Sequence, residues 1–224
     1  MVRDGLAGLA ALALAGFVAG TAFAEVQLYD TGPDVVSGYV RFLNAASGDV
    51  AVSAGGAGLA LPATDEGRIG RFQAVPAESE QSADVAVADA KGSVTIEAAP
   101  EEFITIAVLD GGKTLVIRDT PQDFNALKAD ITFLNADPAC AGAVMRAGAK
   151  KTVVFKDVAP GAMARRQVNP VAAVIEAACG ETPVEGVVDL GTLAAGGRYS
   201  IVVIPDRAGG HRLIGGRDER AKYD

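Results

Sequence analysis

Along residues 25–217, apolar side chains recur at every second position in short runs broken by Gly, Pro, Asp and Asn. That is the period at which a strand turns one face to a core. In Gly38-Tyr39-Val40-Arg41-Phe42-Leu43-Asn44, Val40 and Phe42 fall on one face and Tyr39, Arg41 and Leu43 on the other, and Asn44 with Gly48 turns the chain. Farther on, Val85 and Val87 alternate, Asp89-Ala90-Lys91-Gly92 reads as a turn, and Val94 and Ile96 resume the pattern as the second arm of a hairpin. Another hairpin follows Pro100, with Ile104, Ile106 and Val108 leading into Asp110-Gly111-Gly112 and Leu115 and Ile117 leading back. Helix signals are scarce. The stretch from Val168 to Glu181 could be read as helical from its alanines, but Pro170 near its start and its Val and Ile content predict a strand.

These marks occur twice in the same order. The tetrapeptide Phe-Leu-Asn-Ala stands at residues 42–45 and again at 133–136, with Ile131 and Phe133 in the places of Val40 and Phe42. The segment from Tyr199 to Asp218 matches that from Phe103 to Asp119: Tyr199 for Phe103, Gly209-Gly210 for Gly111-Gly112, and Arg217-Asp218 for Arg118-Asp119. Repeated opening and closing signals argue for tandem duplication. Several short strands per about 100 residues predict an all-β protein of two tandem β-sandwich domains of similar topology. The boundaries expected are 25–120 and 126–217, with a joint at Thr120-Pro121-Gln122-Asp123-Phe124-Asn125 and a charged tail over 218–224.

Residues 1–24 are expected to be a cleavable signal peptide: Arg3, an apolar run rich in Ala, Leu and Gly, and the small-x-small site Ala22-Phe23-Ala24 before Glu25. A membrane anchor is the alternative, disfavoured because the run barely reaches the roughly 20 residues that span hydrocarbon. An exported chain of this kind suits a bacterial periplasm. The net charge is −8 and no Lys/Arg cluster is present, which argues against nucleic acid as a partner. Cys140 and Cys179, an even pair in an oxidising compartment, are expected to form a disulfide.

Little else in the chain suggests chemistry. Two thiols and the single histidine, His211, fall short of a zinc site, so neither a metal nor a cofactor is expected. His211 follows Gly209-Gly210 and is read as a solvent-facing hairpin tip rather than a catalytic base. No G-x-S-x-G elbow occurs. Glu101-Glu102 and the Glu78 and Glu80 pair read as solvated surface rather than as a glycosidase dyad. The glycine pairs read as hairpin turns, because no strand leads into a helix N-terminus. With no Trp and 5% aromatic residues, only Tyr29, Tyr39 and Tyr223 are offered as exposed rings for a sugar, while Phe42, Phe133, Phe103 and Tyr199 read as core.

The opening Leu28-Tyr29-Asp30-Thr31-Gly32-Pro33, the segment ending in Gly111-Gly112-Lys113 and, above all, Arg166-x-x-Asn169-Pro170-Val171 resemble the AlgF family of periplasmic alginate O-acetylation proteins, from about Leu28 to about Arg217. The resemblance implies an accessory protein of polymer O-acetylation with no catalytic residues of its own, partnered by periplasmic SGNH-type acetyltransferases and a membrane O-acyltransferase. Arg166, Asn169 and Pro170 are then either a partner-binding motif or simply a turn, since Asn-Pro is a strong turn former. An independent polysaccharide-binding module is the alternative function, and an acyl-carrying enzyme a third.

Overall fold

The computed structural model describes residues 36–121 and 123–220; the expected signal peptide, Tyr29 and Tyr223 lie outside them. The first half contains β1 (Ser37–Asn44), β2 (Val50–Ala54), β3 (Ala57–Leu61), β4 (Gln73–Pro76), β5 (Glu80–Val87), β6 (Ala90–Glu97), β7 (Phe103–Val108) and β8 (Thr114–Asp119). The second contains β9 (Ala129–Asn135), β10 (Ala143–Ala147), β11 (Thr152–Val158), β12 (Met163–Val168), β13 (Ala172–Cys179), β14 (Thr182–Pro183), β15 (Val188–Thr192), β16 (Arg198–Pro205) and β17 (His211–Arg217). The fold is all-β.

Each half stacks two sheets. The first has β4-β1-β7-β8 over β3-β2-β5-β6; the second has β12-β9-β16-β17 over β11-β10-β13-β14, with β15 also paired to β13. The orders correspond strand for strand, down to the parallel pair at the centre of the first-named sheet, β1 with β7 and β9 with β16. The alternation behind the prediction is seen in β5, where Ala83, Val85 and Val87 are buried between exposed or half-buried neighbours. The β5–β6 hairpin turns earlier than expected: Val87 pairs with Ala90, so Ala88-Asp89 forms the turn, and Ala88 takes a positive φ of 49°. Gly92 lies within β6, where a Cβ would collide with the Gly112 carbonyl. The glycine serves close approach, not the turn.

The repeated FLNA also has a structural reason. Asn44 donates from Nδ2 to the carbonyls of Gly48 and Leu61 and accepts the Ala46 amide at Oδ1. Asn135 does the same with Cys140, Val158 and the Asp137 amide. Each fully buried asparagine stitches the end of the central strand to the end of β3 or β11, satisfying carbonyls that would otherwise be buried without partners.

Each sandwich has its own apolar core, around Val50, Val85 and Ile106 in the first and Met145, Ile175 and Ile201 in the second. A third apolar layer joins Leu43, Ala107 and Ile117 of the first half to Leu134, Val202, Ile204 and Ile214 of the second. All the described residues belong to one compact unit. Because the central strands face a core on one side and this shared layer on the other, β7 and β9 are buried at every position. The chain beyond Arg217, expected to be a charged tail, is structural as far as Arg220: the Glu219 carbonyl accepts the Phe72 amide, and Arg220 bridges Phe72.

The register also corrects the match between halves. Phe42 pairs with Ile106 and Phe133 with Ile201. Phe103 therefore corresponds to Arg198, not to Tyr199. A one-residue shift on a strand exchanges faces: Tyr199 points into the core of its own sandwich, while Phe103 lies on the face toward the other half.

Candidate functional site

The densest polar chemistry lies beside that shared layer, where the two halves exchange charged side chains. Arg41 on β1 is 2% exposed. Its Nη1 reaches Asp218 Oδ1 at 2.7 Å, Nη2 donates to Ser200 Oγ at 2.8 Å, and Nε donates to Thr105 Oγ1 at 2.9 Å. Ser200 donates in turn to Asp218 Oδ2. Asp119, the counterpart of Asp218 in the first half, receives Arg198 at 3.3 Å and Arg165 at 3.5 Å from the second. Each half thus supplies an aspartate at the end of its last sheet strand and an arginine that crosses to the other. Arg165 also reaches Asp130 at 3.4 Å.

Aromatic rings back these cations. Tyr39 stacks on Phe103 with centroids 4.7 Å apart, and Phe72 meets Phe103 edge-on at 5.0 Å. The guanidinium of Arg41 lies 4.2 Å from the Phe72 centroid, that of Arg198 3.9 Å from Phe103, and that of Arg220 4.7 Å from Tyr39. Such a contact contributes about 2 kcal/mol where the cation is desolvated, as Arg41 is, and about 0.5–1 kcal/mol at an exposed cation such as Arg220. Tyr39, expected as an exposed ring, is half-buried in this stack.

Burial pushes the Asp119 carboxyl up, outweighing the pull of Arg165 and Arg198, and burial likewise lowers Arg198. Asp130 Oδ1 and Arg198 Nε are buried with no hydrogen-bond partner among the described residues. The space between Arg41, Asp119, Arg198 and Asp218 is about 10 Å³, at the lower limit for one water. No substrate fits there. What this arrangement does is hold two sandwiches in one relative orientation.

The residues singled out from the sequence lie elsewhere. Cys140 and Cys179 form a disulfide with Cα atoms 5.2 Å apart, tying the loop after β9 to the end of β13. Such a bond forms and persists in an oxidising compartment. Arg166 is exposed on edge strand β12, opposite Ile131. Asn169 and Pro170 are exposed in the connection from β12 to β13, where the chain passes from one sheet of the second sandwich to the other. The motif's neighbour Arg165, like Arg41 and Arg198, pairs across the two halves.

His211 is not a solvated tip. It opens β17, and its Nδ1 lies 2.6 Å from Oδ2 of the buried Asp137, whose Oδ1 accepts the Ala139 amide. Of the carboxylates read as surface, Glu101 is exposed, but Glu102 is 5% exposed, accepting the Ala99 amide and Arg118. Arg41, Asp119, Asp130, Arg165, Arg198 and Asp218 went unread because a charged residue in an alternating strand looks solvent-facing. The available signal was that Arg41, Thr105, Thr132 and Ser200 share their face with Leu43, Ala107, Leu134 and Val202.

Fold and site together define a pair of tandem β-sandwiches locked by a buried apolar layer and reciprocal ion pairs. The family model described as "Alginate O-acetyl transferase AlgF" matches residues 9–198, and the chain belongs to that family, implicated in alginate O-acetylation. No curated protein matches. Among solved structures, a Bacteroides ovatus protein provisionally described as a cell adhesion protein aligns over 87% of this chain and 100% of its own, at 8% identity and a TM-score of 0.25.

Proposed function

We propose that this protein is a non-catalytic periplasmic adaptor in the O-acetylation of alginate or an alginate-like exopolysaccharide, bridging periplasmic SGNH-type acetyltransferases and a membrane O-acyltransferase. The observation that carries this reading is the sealed junction. The strongest cluster of charged groups is used to fix two sandwiches rigidly, in a space with no room for substrate. His211, the one histidine, is engaged by Asp137, whereas a serine or cysteine acyltransferase needs its base on the nucleophile. A rigid two-module body suits an adaptor because it fixes the separation of two binding faces, so a second partner docks without a further ordering cost.

Phe72 and Phe103 are buried and Tyr39 half-buried in contacts with one another and with arginines, which leaves them unavailable as a sugar platform. The interface with partners is therefore expected to use strand edges and polar contacts, and to weaken with salt. In a deletion strain, polymer acetylation should be lost while polymer synthesis continues. Pull-down from periplasmic extract should recover an SGNH-type acetyltransferase, and the purified protein should show no esterase activity. Normal acetylation in the deletion strain overturns the proposal.

A further inference from the structure

Arg68, in the connection from β3 to β4, is a cation buried without a counter-charge. It is 4% exposed. Its Nη1 donates to the carbonyls of Asn44 and Ala46 at 3.0 and 2.9 Å, its Nη2 donates to that of Ala63 at 3.2 Å, and its Nε is buried with no partner. Among the described residues no carboxylate pairs with it; Asp65, close by in sequence, is held by Arg212 through Nε at 2.9 Å and Nη2 at 2.6 Å. The fold does not call for this charge. The Asn44 amide donates to the Arg68 carbonyl as the Asn135 amide donates to that of Ala162, so the twin of Arg68 in the second sandwich is an alanine. There the Asn135 carbonyl accepts the Gly161 amide at 2.8 Å, the neutral equivalent of Arg68 on Asn44. A charge buried where a neutral group suffices is costly unless something pairs with it.

Arg68 lines a pocket of about 240 Å³ together with Asp65, Asp206, Arg207 and Arg212, between its own connection and the turn from β16 to β17. Arg212 is matched by Asp65 and, at 3.6 Å, by Glu185. Asp206 accepts the Ala208 amide at Oδ2, and the exposed Arg207 reaches the Ala63 carbonyl at 3.4 Å. Arg68 and Arg207 against Asp206 leave one positive charge unmatched. Burial first, and then the neighbouring Arg207, hold the Arg68 guanidinium below the usual arginine value, as desolvation beside a like charge requires.

We infer that this pocket receives a single carboxylate, carried by an aspartate or glutamate side chain of a protein partner. Arg207 has donors to spare among its five N–H groups and bonds the oxygens, while Arg68 supplies the fixed charge behind it. That the carboxylate comes from a protein rests on the adaptor reading, and two observations favour it over a uronate chain. The pocket has charge for one carboxylate, whereas a uronate chain carries one on every sugar and would set the others against Glu66, Glu185 and a net charge of −8. No aromatic ring lines the pocket to stack on a sugar.

The test follows the arginine Nε–Hε resonances by NMR as protein beginning at Glu25 is titrated with the peptide acetyl-Gly-Glu-Gly-amide or its glutamine analogue. The glutamate peptide should shift Arg68 and Arg207 saturably, and the glutamine peptide should not. Arg207→Gln falls on an exposed turn, so it should leave Tm unchanged while weakening the glutamate peptide about tenfold, the loss expected for one charge-assisted contact. Binding of a purified SGNH-type acetyltransferase should weaken by a similar factor. Arg68 and Arg207 resonances unmoved by the glutamate peptide overturn the site. An acetyltransferase that binds the parent and Arg207→Gln equally, or a uronic acid trisaccharide that displaces the peptide at lower concentration, overturns the assigned occupant. An acetyltransferase that binds neither protein overturns the adaptor reading, while saturable peptide shifts still support the carboxylate site.

Discussion

Replacing Arg41 by alanine removes the central cation of the junction. Its side chain is almost wholly buried and makes three hydrogen bonds, to Thr105, Asp218 and Ser200, besides covering the Phe72 ring. The substitution leaves the Asp218 carboxylate, itself only 9% exposed, without its cation. Breaking a buried pair from one side costs about 3–5 kcal/mol, and for a chain of this size each kcal/mol lowers Tm by roughly 2–4 °C. Arg41→Ala should therefore melt some 6–20 °C below the parent, measured in urea and by calorimetry with the disulfide intact. The cycle Arg41→Met, Asp218→Asn and the double variant should return a coupling of about 1–3 kcal/mol, since the double variant leaves no charge stranded. Because the pair joins the two halves, the single transition should also broaden or split in Arg41→Ala. A loss below about 1 kcal/mol with additive single variants would show that the junction rests on its apolar layer alone.

Three further outcomes are expected. Replacing Cys140 and Cys179 by serine opens a loop with a sequence separation of 39, and on the chain-entropy model this should cost about 4 kcal/mol, read as a lower urea midpoint; an unchanged midpoint would refute it. Asp119 has a raised folded value, owing first to burial, so its contribution is fully present below the ordinary aspartate range and is lost as pH rises through the folded value. Asp119→Asn should accordingly gain stability relative to the parent between pH 3 and pH 7, and a relative loss over that interval would mean that Arg165 and Arg198 outweigh burial. Protease should cut near residues 120–127, where Phe124 and Leu127 are exposed, yet the fragments should stay together on gel filtration. Leu134→Asp, which puts a charge into the shared layer, should let them part, and separation without that substitution would refute the reading of the layer.

Much of the β architecture is legible in the chain because strand faces obey a period of two and turns need residues of restricted type. Val40 and Phe42 against Tyr39, Arg41 and Leu43, the Gly111-Gly112 turn and the duplicated FLNA all follow from local rules. Even the disulfide followed from an even count of cysteines and the expectation of export. The junction did not follow. Arg41, Asp119, Arg165, Arg198 and Asp218 lie far apart in sequence, and each reads by itself as a solvated charge. Only the packing of one sheet against the other supplies the partners that make burial of these charges tolerable. The Phe103 and Tyr199 match shows the same limit at the scale of one residue: chemical likeness suggested a register, but hydrogen bonding between β1 and β7 and between β9 and β16 set a different one. A shift too small to see in an alternating pattern decides whether a ring enters a core or faces the other half. Local propensity thus determined the strands, and long-range pairing determined which of their two faces became a core and which a junction.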